Sequence, residues 1–565
     1  MTLFCRPSRS CFLPISPLLL LVALLQGCGG GGGQASDAST AVRGEEALAR
    51  CPGADLASSK TLVYVATSGE DNDSCGDKPA TACASIAKGI ARCAVAECAV
   101  VVQHGLYSPT ASINLRDAVS VHGSCRFGDE PERYYRTVIA ASPAAGMPAI
   151  DGAGINSATE LSGIVVLGKN ETAAGEASIG MRVRASKGLA LQGVTLVAGR
   201  GGDGAAGTSS NGGPGGAGGA PIAQNYPGEG GQACPANPPP SGGNGGVGRA
   251  EYQFTATNCR FDCDCFGTPS GQQDVDIAGK DAGRARGGGY GGNGNFGGNC
   301  STRLNITPAP GEAGSPGEIG DCSAAGGTAA LASTGGFAGG RWLAAFGGQG
   351  GPGGTGSGGG GGGAGGFSLY IPSAPPNEYY PGFPGSGGGG GGCGAPGGQG
   401  GQQGGASIPL VLIDSSVAGL SVGSSLIPGP GGRGGDGGIG ARGGPGGAGG
   451  DPYNGTRVAR FYVLFGNVLM PGAGASGGNG GAGGASAGGA GGNGGPSFGV
   501  ALLGNTPDPG LTGTYAGTPG TPGKRGAGQA NPAAPGNINS QCRSADGQDG
   551  LPGIAAPLVR YTEAS

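Results

Sequence analysis

Seven consecutive triplets that begin with glycine run from Gly431 to Asp451, six of them Gly-Gly-X and one Gly-Ala-Arg, and similar runs recur through the second half of the chain. Glycine fills 139 of the 565 positions, far above the ~7% usual in proteins, so these tracts offer few side chains for a core. Such a chain is either a flexible coil or a polyproline II helix, whose three residues per turn align every X residue on one edge. The aligned residues are Arg433, Asp436, Ile439, Arg442, Pro445, Ala448 and Asp451.

Three states of these tracts compete. Collagen is excluded, because its triple helix needs bulky, proline-rich positions where this chain repeats glycine twice in every three residues. A flexible coil keeps its backbone entropy, whereas packed polyproline II helices would use their glycine edges for close lateral N–H to C=O hydrogen bonds. The sequence leaves packing and disorder open. The tracts that keep the phase needed for packing are 212–220, 347–355, 431–451, 477–485 and 488–496.

The N-terminal segment has the features of an export signal. Two arginines precede an apolar run at 12–25 that is too short to span a membrane. The run ends in Leu25-Gln26-Gly27-Cys28, which resembles the lipobox of bacterial lipoproteins and implies that Cys28 carries lipid. The residue after Cys28 is Gly29 and not aspartate, so the resemblance implies that the lipoprotein is sorted to the outer membrane or cell surface. A plain secretory signal with a chance cysteine is the alternative.

The cysteine count also fits export. Of 17 cysteines, Cys5 and Cys11 leave with the signal and Cys28 takes lipid, and the remainder is an even number that allows seven disulfides. Metal binding by the cysteine cluster at 259–265 is the alternative. With two histidines in the chain and an oxidising compartment, disulfides are favoured.

Charge excludes one class of partner. The net charge is −4 and charged residues make up 12% of the chain, about half the usual fraction. No basic patch is present in the sequence, so nucleic acid is not expected as a partner. No residue pattern predicts a bound cofactor.

The region after residue 60 has the pattern of short strands around one helix. An apolar run at 61–66 precedes a polar turn at 69–74, and Ile86 and Ile90 share one helical face. A second apolar run follows at 99–102. This order resembles the opening of right-handed parallel β-helix proteins of the pectin-lyase-like superfold. The resemblance covers residues 61 to about 200, with further coils at 149–154, 161–168 and 188–199.

This resemblance implies an all-β fold, in which each coil stacks its strands on those of the coil before. An immunoglobulin-like sandwich is the alternative, since short strands and turns are common to both. The glycine tracts are then excursions from the coils, either ordered as polyproline II or disordered. In composition they resemble the PGRS type of glycine-rich surface proteins.

Repeats predict that the coils continue down the chain. The segments 365–371, 404–413 and 494–503 share a Gly-Gly-x-Ser-apolar pattern, which predicts strands that stack in one sheet. Residues 188–204 and 419–437 are a second repeat, and both end in GRGGDG. Further strands are expected at 457–470 and 551–561. The expected organisation is a signal peptide at 1–27, a lipidated tether at 28–50, a cap with the first coils at 51–200, and coils with glycine-rich excursions at 201–565.

Candidates for chemistry are few. Polysaccharide lyases of the resembled class combine an acidic calcium site with an arginine base, and hydrolases use clustered aspartates. Glu70, Asp71 and Asp73 have hard oxygen ligands for calcium, with a solvated turn as the alternative. Two aspartate pairs are candidates for the clustered carboxylates of a hydrolase. The pair at 262 and 264 is explained as well by a turn, and the pair at 274 and 276 by a polar surface strand.

The remaining candidates are single side chains. His104 and His122 are interpreted as turn or strand-end residues. Trp342, the only tryptophan, either stacks on a sugar or fills an apolar gap between glycine tracts.

The sequence therefore predicts a non-catalytic, lipid-anchored structural or adhesive protein of the cell surface. It would contact the membrane through lipid on Cys28, and a glycan or envelope protein through its glycine-rich surface. A carbohydrate-active β-helix enzyme and an ice- or surface-binding protein are the alternatives.

Overall fold

The computed structural model describes a large part of the chain that begins at Ala49, and the structural statements below refer to that part. The described residues belong to one compact unit, Leu48–Ser565. Cys28 and the predicted signal and tether up to residue 48 lie outside the described residues. The described ranges are 49–51, 56, 61–93, 98–128, 136–220, 228–232, 312–323, 325–329, 335–362, 368–370, 378–380, 383–420, 423–452, 473–510, 517–532 and 541–562.

The secondary structure is almost entirely β. One short helix, α1 (Ile86–Arg92), and one 3-10 turn (Pro79–Thr81) are the helical elements of the described ranges. No helix there has the length and apolar character needed to cross a membrane. The strands are β1 Ala49–Arg50, β2 Thr61–Val65, β3 Cys98–Gln103, β4 Gly105–Tyr107, β5 Ile113–Leu115, β6 Val119–Phe127, β7 Thr137–Ala140, β8 Ile150–Ala153, β9 Thr159–Ser162, β10 Ile164–Leu167, β11 Ser178–Arg184, β12 Leu189–Gln192, β13 Thr195–Val197, β14 Gly336–Ala338, β15 Arg341–Leu343, β16 Ser368–Tyr370, β17 Glu378–Tyr380, β18 Ser407–Ile413, β19 Val417–Ala418, β20 Ser425–Ile427, β21 Ser497–Leu503 and β22 Ala555–Tyr561.

Three parallel sheets dominate the fold. Sheet 1 has the order β2-β3-β6-β9-β12-β19, and β1 adds to β6 in the antiparallel direction. Sheet 2 has the order β4-β7-β10-β13-β20, and sheet 3 has β5-β8-β11-β18-β21-β22. From β4 to β13 consecutive strands enter sheets 2, 3 and 1 in rotation. One buried apolar cluster contains Val100 of sheet 1, Val166 of sheet 2 and Met181 of sheet 3, so the sheets share a core.

The corner between sheets 1 and 2 is very tight. Gly163 alone separates β9 from β10, and Gly193 lies in the two-residue link between β12 and β13. Their φ angles of 62° and 58° fall in the left-handed region, which glycine enters without steric penalty. These glycines let the chain turn from one sheet into the next within one or two residues.

The predicted elements of the first region are confirmed. The segments 61–66 and 99–102 form β2 and β3, which pair in parallel. Ile86 and Ile90 are both buried on α1, whose N-terminus is capped by Ser85, since its side chain accepts a hydrogen bond of 3.2 Å from the Lys88 N–H.

The predicted stacking of the later repeats is correct for two of three segments. β18 and β21 pair in parallel in sheet 3, and β22, from the predicted strand at 551–561, extends the same sheet. The expectation for 365–371 is wrong, because β16 pairs antiparallel with β17 in a separate two-stranded sheet. β18 and β21 are seven-residue runs buried on both faces, whereas β16 has three residues. The predicted strand at 457–470 lies outside the described residues.

The duplicated segments are neighbours in space. Thr195 pairs with Ser425 and Leu196 pairs with Leu426, so this part of one copy stacks on its counterpart in the other copy. The two GRGGDG sequences also touch, since the Gly204 N–H donates to the Arg433 carbonyl at 2.7 Å. The internal repeat therefore marks a structural repeat.

Disulfides join the cap to the sheets. Cys51–Cys125, Cys75–Cys83 and Cys93–Cys98 lie in the first region, and Cys322–Cys542 links segments 220 residues apart. Cys393 is also disulfide-bonded. The cysteine cluster at 259–265 lies outside the described residues. Where the cysteines are described, they are oxidised as the sequence predicts.

Sheet 3 ends at an edge strand. The Ser497 N–H donates to the Ile554 carbonyl at 2.8 Å, so Ile554 and Ala556 turn their backbone groups toward β21. By the alternation of a parallel strand, Ala555, Pro557 and Val559 turn theirs to the outer edge. Pro557 has no N–H to offer there, which makes the edge a poor template for another strand.

Candidate functional site

The glycine tracts hydrogen bond to one another side by side. Eight tracts are named here in chain order. They are T1 199–220, T2 312–329 (without the undescribed residue 324), T3 347–362, T4 385–405, T5 429–451, T6 473–496, T7 517–532 and T8 541–553. None of them contains a regular helix, and within T1 to T8 no described glycine has a positive φ.

T6 lies at the centre of a ring of six tracts. Its N–H groups donate to carbonyls of T3, T5 and T8 over 2.6–3.1 Å, and its carbonyls accept from T2, T4 and T7. The outer tracts are also bonded to each other in the order T2-T3-T4-T5-T7-T8 and back to T2. Donors recur every three residues, as at Gly489, Gly492 and Gly495, whose N–H groups bond to Gly438, Gly435 and Gly432. The hydrogen bonds between tracts thus recur with the same three-residue period as the glycine triplets of the sequence.

Glycine is required in these tracts because the backbones approach so closely. A Cβ added to Gly489 would lie 2.6 Å from the Gly398 carbonyl oxygen and closer still to that of Gln399. Gly492 and Gly481 would likewise meet the carbonyls of Gln402 and Glu318 closer than 3.0 Å. Real Cβ atoms do not make such contacts, so any other residue at these positions forces the neighbouring backbones to move apart.

The X residues of T5 point away from the ring. Arg433, Ile439, Arg442, Pro445, Ala448 and Asp451 are exposed, and Asp436 is half-exposed. The glycines at 432, 435, 438, 444, 447 and 450 are buried. The single edge predicted for the X residues is therefore present as one exposed ridge.

Aspartates tie neighbouring ridges together. Asp203 Oδ1 accepts the Arg433 N–H at 2.7 Å, and Asp436 Oδ1 accepts the Lys524 N–H at 2.8 Å. Each aspartate also pairs with the arginine three residues before it. The hydrogen bond from Lys524 is the main reason that the pKa of Asp436 lies below its usual value. The aspartate of each GRGGDG sequence thus links its tract to the adjacent tract by a hydrogen bond.

The calcium candidates lie together in one exposed turn. Asp71 Oδ1 accepts the N–H groups of Ala84 and Ser85 at 2.8 and 2.9 Å, which ties the turn to the start of α1. Asp73 pairs with Lys88 at 3.0 Å, and the hydrogen bond from Lys88 lowers the pKa of Asp73. Glu70 is exposed beside them. Asp71 also lies close to the sulfurs of Cys75 and Cys83, but these form a disulfide and offer no thiolate to a metal.

His122 departs from the sequence interpretation. It lies in the middle of β6, not at a strand end, and is buried on the outward side of sheet 1. Its Nδ1 is 2.7 Å from Ser162 Oγ and 3.7 Å from Glu160 Oε1. Burial lowers the pKa of His122, and the nearby Glu160 partly opposes this. His104, by contrast, separates β3 from β4 as predicted.

A buried ion-pair cluster occupies the outward side of sheet 3. Arg182 makes two hydrogen bonds to Asp151, Nε to Oδ1 at 3.2 Å and Nη2 to Oδ2 at 2.7 Å. Arg184 adds a third at 3.0 Å, and Arg182 also donates to the Gly340 carbonyl at 3.1 Å. This bond holds the turn of the β14–β15 hairpin over the cluster. The guanidinium of Arg182 is thus engaged by two groups of the protein itself, Asp151 and the Gly340 carbonyl.

Trp342 fills an apolar gap, one of its two predicted roles, but the gap lies between the β14–β15 hairpin and sheet 3, whereas the prediction placed it between glycine tracts. It is 2% exposed and packs edge-to-face against Phe337 and Tyr561, with ring centroids 5.5 and 6.1 Å apart. These rings lie between the hairpin and sheet 3. A buried ring has no free face for a sugar, so the structure favours the packing role.

The remaining sequence candidates cannot be placed. The aspartate pairs at 262 and 264 and at 274 and 276 lie outside the described residues, as does the lipidation candidate Cys28. The grouping of His122, Glu160 and Ser162 was not predictable from the sequence, because their strands are about 40 residues apart. The alternation of Val119 and Val121 with Ser120 and His122 was the only available signal that His122 faces outward.

Comparison with protein-family models, with curated proteins and with solved structures finds no match to this chain. The functional argument therefore rests on the geometry of the tracts.

Proposed function

We propose that the chain is a non-catalytic, lipid-anchored protein of the bacterial cell surface that presents a rigid glycine-rich surface to a glycan or to another envelope protein. Its three sheets are the faces of a right-handed parallel β-helix, and its tracts are polyproline II helices packed beside that spine. The supporting observation is the ring of six tracts around T6 with the exposed ridge of T5 beside it.

Three features support a polyproline II conformation for the tracts. Donors recur every third residue, φ is nowhere positive among the described tract glycines, and neighbouring tracts keep constant register over many residues. A three-residue period without internal hydrogen bonds is the property of polyproline II. Each ridge then repeats its X residue every ~9 Å.

The mechanism is presentation without turnover. The lateral hydrogen bonds make the tracts stiff, so the ridges contact a partner without first losing the entropy of a flexible glycine chain. Lipid on Cys28 holds this surface at the outer membrane. Diacylation with an N-acyl chain provides the two or more attachments that stable anchoring requires.

Anchoring is tested by the mass of the mature N-terminus. Expression in a bacterium that processes lipoproteins should yield a chain that begins at Cys28 and carries the mass of three acyl groups. The Cys28→Ser variant should be released from membranes. An unmodified mature chain beginning elsewhere would refute the anchor.

Presentation is tested with immobilised envelope polysaccharides. We expect retention of the folded protein without release of sugar products, both with and without calcium. Unsaturated products released in calcium would instead support the alternative of a β-helix lyase, with Glu70, Asp71 and Asp73 as the residues to substitute.

A second candidate function is binding to an ordered surface such as ice. Its support is a flat pair of ridges, since the Gly215 N–H donates to the Pro445 carbonyl at 3.0 Å and the Gly218 N–H donates to the Ala448 carbonyl at 2.8 Å. The exposed residues on these ridges are Asn211, Pro214, Ala217 and Ala220 on T1 and Arg442, Pro445, Ala448 and Asp451 on T5. Slowed ice growth that is abolished by Ala448→Tyr would favour this function over presentation.

A further inference from the structure

Two neighbouring tracts carry uncharged side chains in facing positions. Phe346, immediately before T3, forms an antiparallel bridge with Gln402 of T4. The N–H groups of Gly347, Gly350 and Gly353 donate to T4 carbonyls in steps of three residues, so the same register continues along both tracts. The facing pairs in this register are Phe346 with Gln402, Gln349 with Gln399, and Pro352 with Pro396. These six residues are called the amide face.

The side chains of the amide face reach the surface together. Residues directly opposite each other in an antiparallel pair place their side chains on the same side. Four of the six side chains are exposed, and those of Pro396 and Gln402 are half-exposed. Phe346 is 63% exposed, and it is the only largely exposed aromatic residue among those whose exposure the structure describes. Its ring therefore presents an apolar surface to water in the middle of polar neighbours.

The tract backbone holds two of the three amides in place. Gln402 Oε1 accepts the Ala205 N–H at 3.2 Å, which leaves the side-chain NH2 group as a donor. Gln349 Nε2 donates to the Gly397 carbonyl at 3.2 Å, which leaves Oε1 as an acceptor. The exposed amide of Gln399 lies opposite Gln349 and offers both. Because two amides are already oriented, a ligand that uses them loses less side-chain entropy on binding.

The charge of the amide face narrows its partner. None of its six residues is charged, whereas the exposed ridge of T5 carries Arg433, Asp436, Arg442 and Asp451. An acidic polymer would find no cation on the amide face with which to pair. The face therefore favours a neutral ligand that combines apolar surface with hydrogen-bonding groups.

The size of the amide face fits a polysaccharide better than a protein. At the polyproline II rise of ~3.1 Å, the span from Phe346 to Pro352 is about 20 Å long. Two tracts about 5 Å apart then give an area of about 200 Å², whereas each partner of a stable protein pair buries about 800 Å². A pyranose has an apolar C–H face that packs on an aromatic ring, and its hydroxyl groups at the rim can reach amides beside that ring.

We propose that the amide face binds a neutral polysaccharide, with one pyranose ring packed on Phe346 and with hydroxyl groups bonded by Gln349, Gln399 and Gln402. This inference rests on the proposed presentation function, and it names the part of the tract surface that makes the contact and the class of partner. The contact involves no change in covalent bonds.

The test uses the full chain with Cys28→Ser, which cannot be lipidated, in affinity electrophoresis through gels that contain β-glucan, mannan, galactan or, as the acidic probe, polygalacturonate. We expect at least one neutral polysaccharide to retard the protein and polygalacturonate not to. Phe346→Ala should raise the dissociation constant about tenfold, and Gln399→Ala about fivefold. Phe346→Tyr keeps the ring and should bind like the parent. Ile439→Ala, at a 52% exposed apolar position on the T5 ridge, is the matched control and should also bind like the parent.

Far-UV circular dichroism verifies that each variant is folded. Equal retardation of the parent and Phe346→Ala would overturn the proposed site but leave a glycan as the partner of another part of the tract surface. No retardation of the parent by any neutral polysaccharide would overturn the site and the glycan together, and the proposed function would then require an envelope protein as the partner. Retardation by polygalacturonate alone would contradict recognition by an uncharged face.

Discussion

Gly489→Ala tests the steric requirement at the centre of the tract ring. The added methyl would overlap the carbonyls of Gln399 and Gly398, which are backbone atoms and cannot rotate away. T4 and T6 must separate, which strains the hydrogen bonds from Gly398 to Ala487 at 3.0 Å and from Gly401 to Ala490 at 2.8 Å. The variant should therefore be much less stable than the parent.

The magnitude follows from these contacts. Two weakened hydrogen bonds contribute ~1 kcal/mol each, and overpacking a close contact costs ~1–3 kcal/mol. Alanine offsets part of this by reducing the entropy of the unfolded chain, by ~0.4–1 kcal/mol. The net expectation is a loss of about 2–4 kcal/mol in the free energy of unfolding of the unit that contains the tracts.

The assay is denaturant unfolding followed by the fluorescence of Trp342, the only tryptophan, together with circular dichroism. Gly336→Ala is the matched control, since no atom lies within 4 Å of its added Cβ and its φ is not positive. The control should unfold like the parent or slightly later. Equal stability of Gly489→Ala and the parent, or equal losses in both variants, would refute the steric argument.

Three further predictions concern single groups. Asp436→Ala should lower the free energy of unfolding by about 1 kcal/mol, because the Lys524 N–H loses its acceptor, whereas Asp436→Asn should keep most of that stability. Because the folded pKa of Asp436 is lowered, the stability that this carboxylate contributes should be fully present above the unfolded pKa near 3.8. It should be lost as the pH of the unfolding titration falls below that value. Pro557→Val should restore an outward N–H on the edge of β22 and increase self-association in sedimentation, and unchanged monomer content would contradict this. Because burial lowers the folded pKa of His122, parent stability should fall as the pH drops below about 6.5, and His122→Gln should flatten that dependence.

Much of the spine could be predicted from local patterns. Short apolar runs close to glycine predicted β2, β3, β18, β21 and β22. The signal is strong at β18 and β21, because a strand buried on both faces needs an uninterrupted apolar sequence. The predicted stacking of β16 was wrong because a strand of three residues has too short a pattern to specify its partner strand. The hairpin β14–β15 was also missed, as glycine-rich sequence around one tryptophan has no strand period.

The sequence predicted which residues of a tract lie on its exposed ridge, but it did not predict how the tracts are arranged around one another. The triplet repeat fixed which residues form a ridge, as the exposure of Arg433, Ile439 and Pro445 confirms. Which tract lies at the centre could not be predicted, because every tract has nearly the same composition. The hydrogen bond between Asp203 and Arg433 likewise depends on two segments 230 residues apart.

Residue-resolved hydrogen exchange of the full chain tests the central claim, that the glycine tracts form one hydrogen-bonded bundle. Most T6 amides from Gly477 to Gly495 donate to a neighbouring tract, so they should exchange as slowly as the amides of β18 and β21. Complete exchange of the T6 amides at the first time point, with β18 and β21 still protected, would contradict the bundle and leave the tracts as flexible chains on a stable spine.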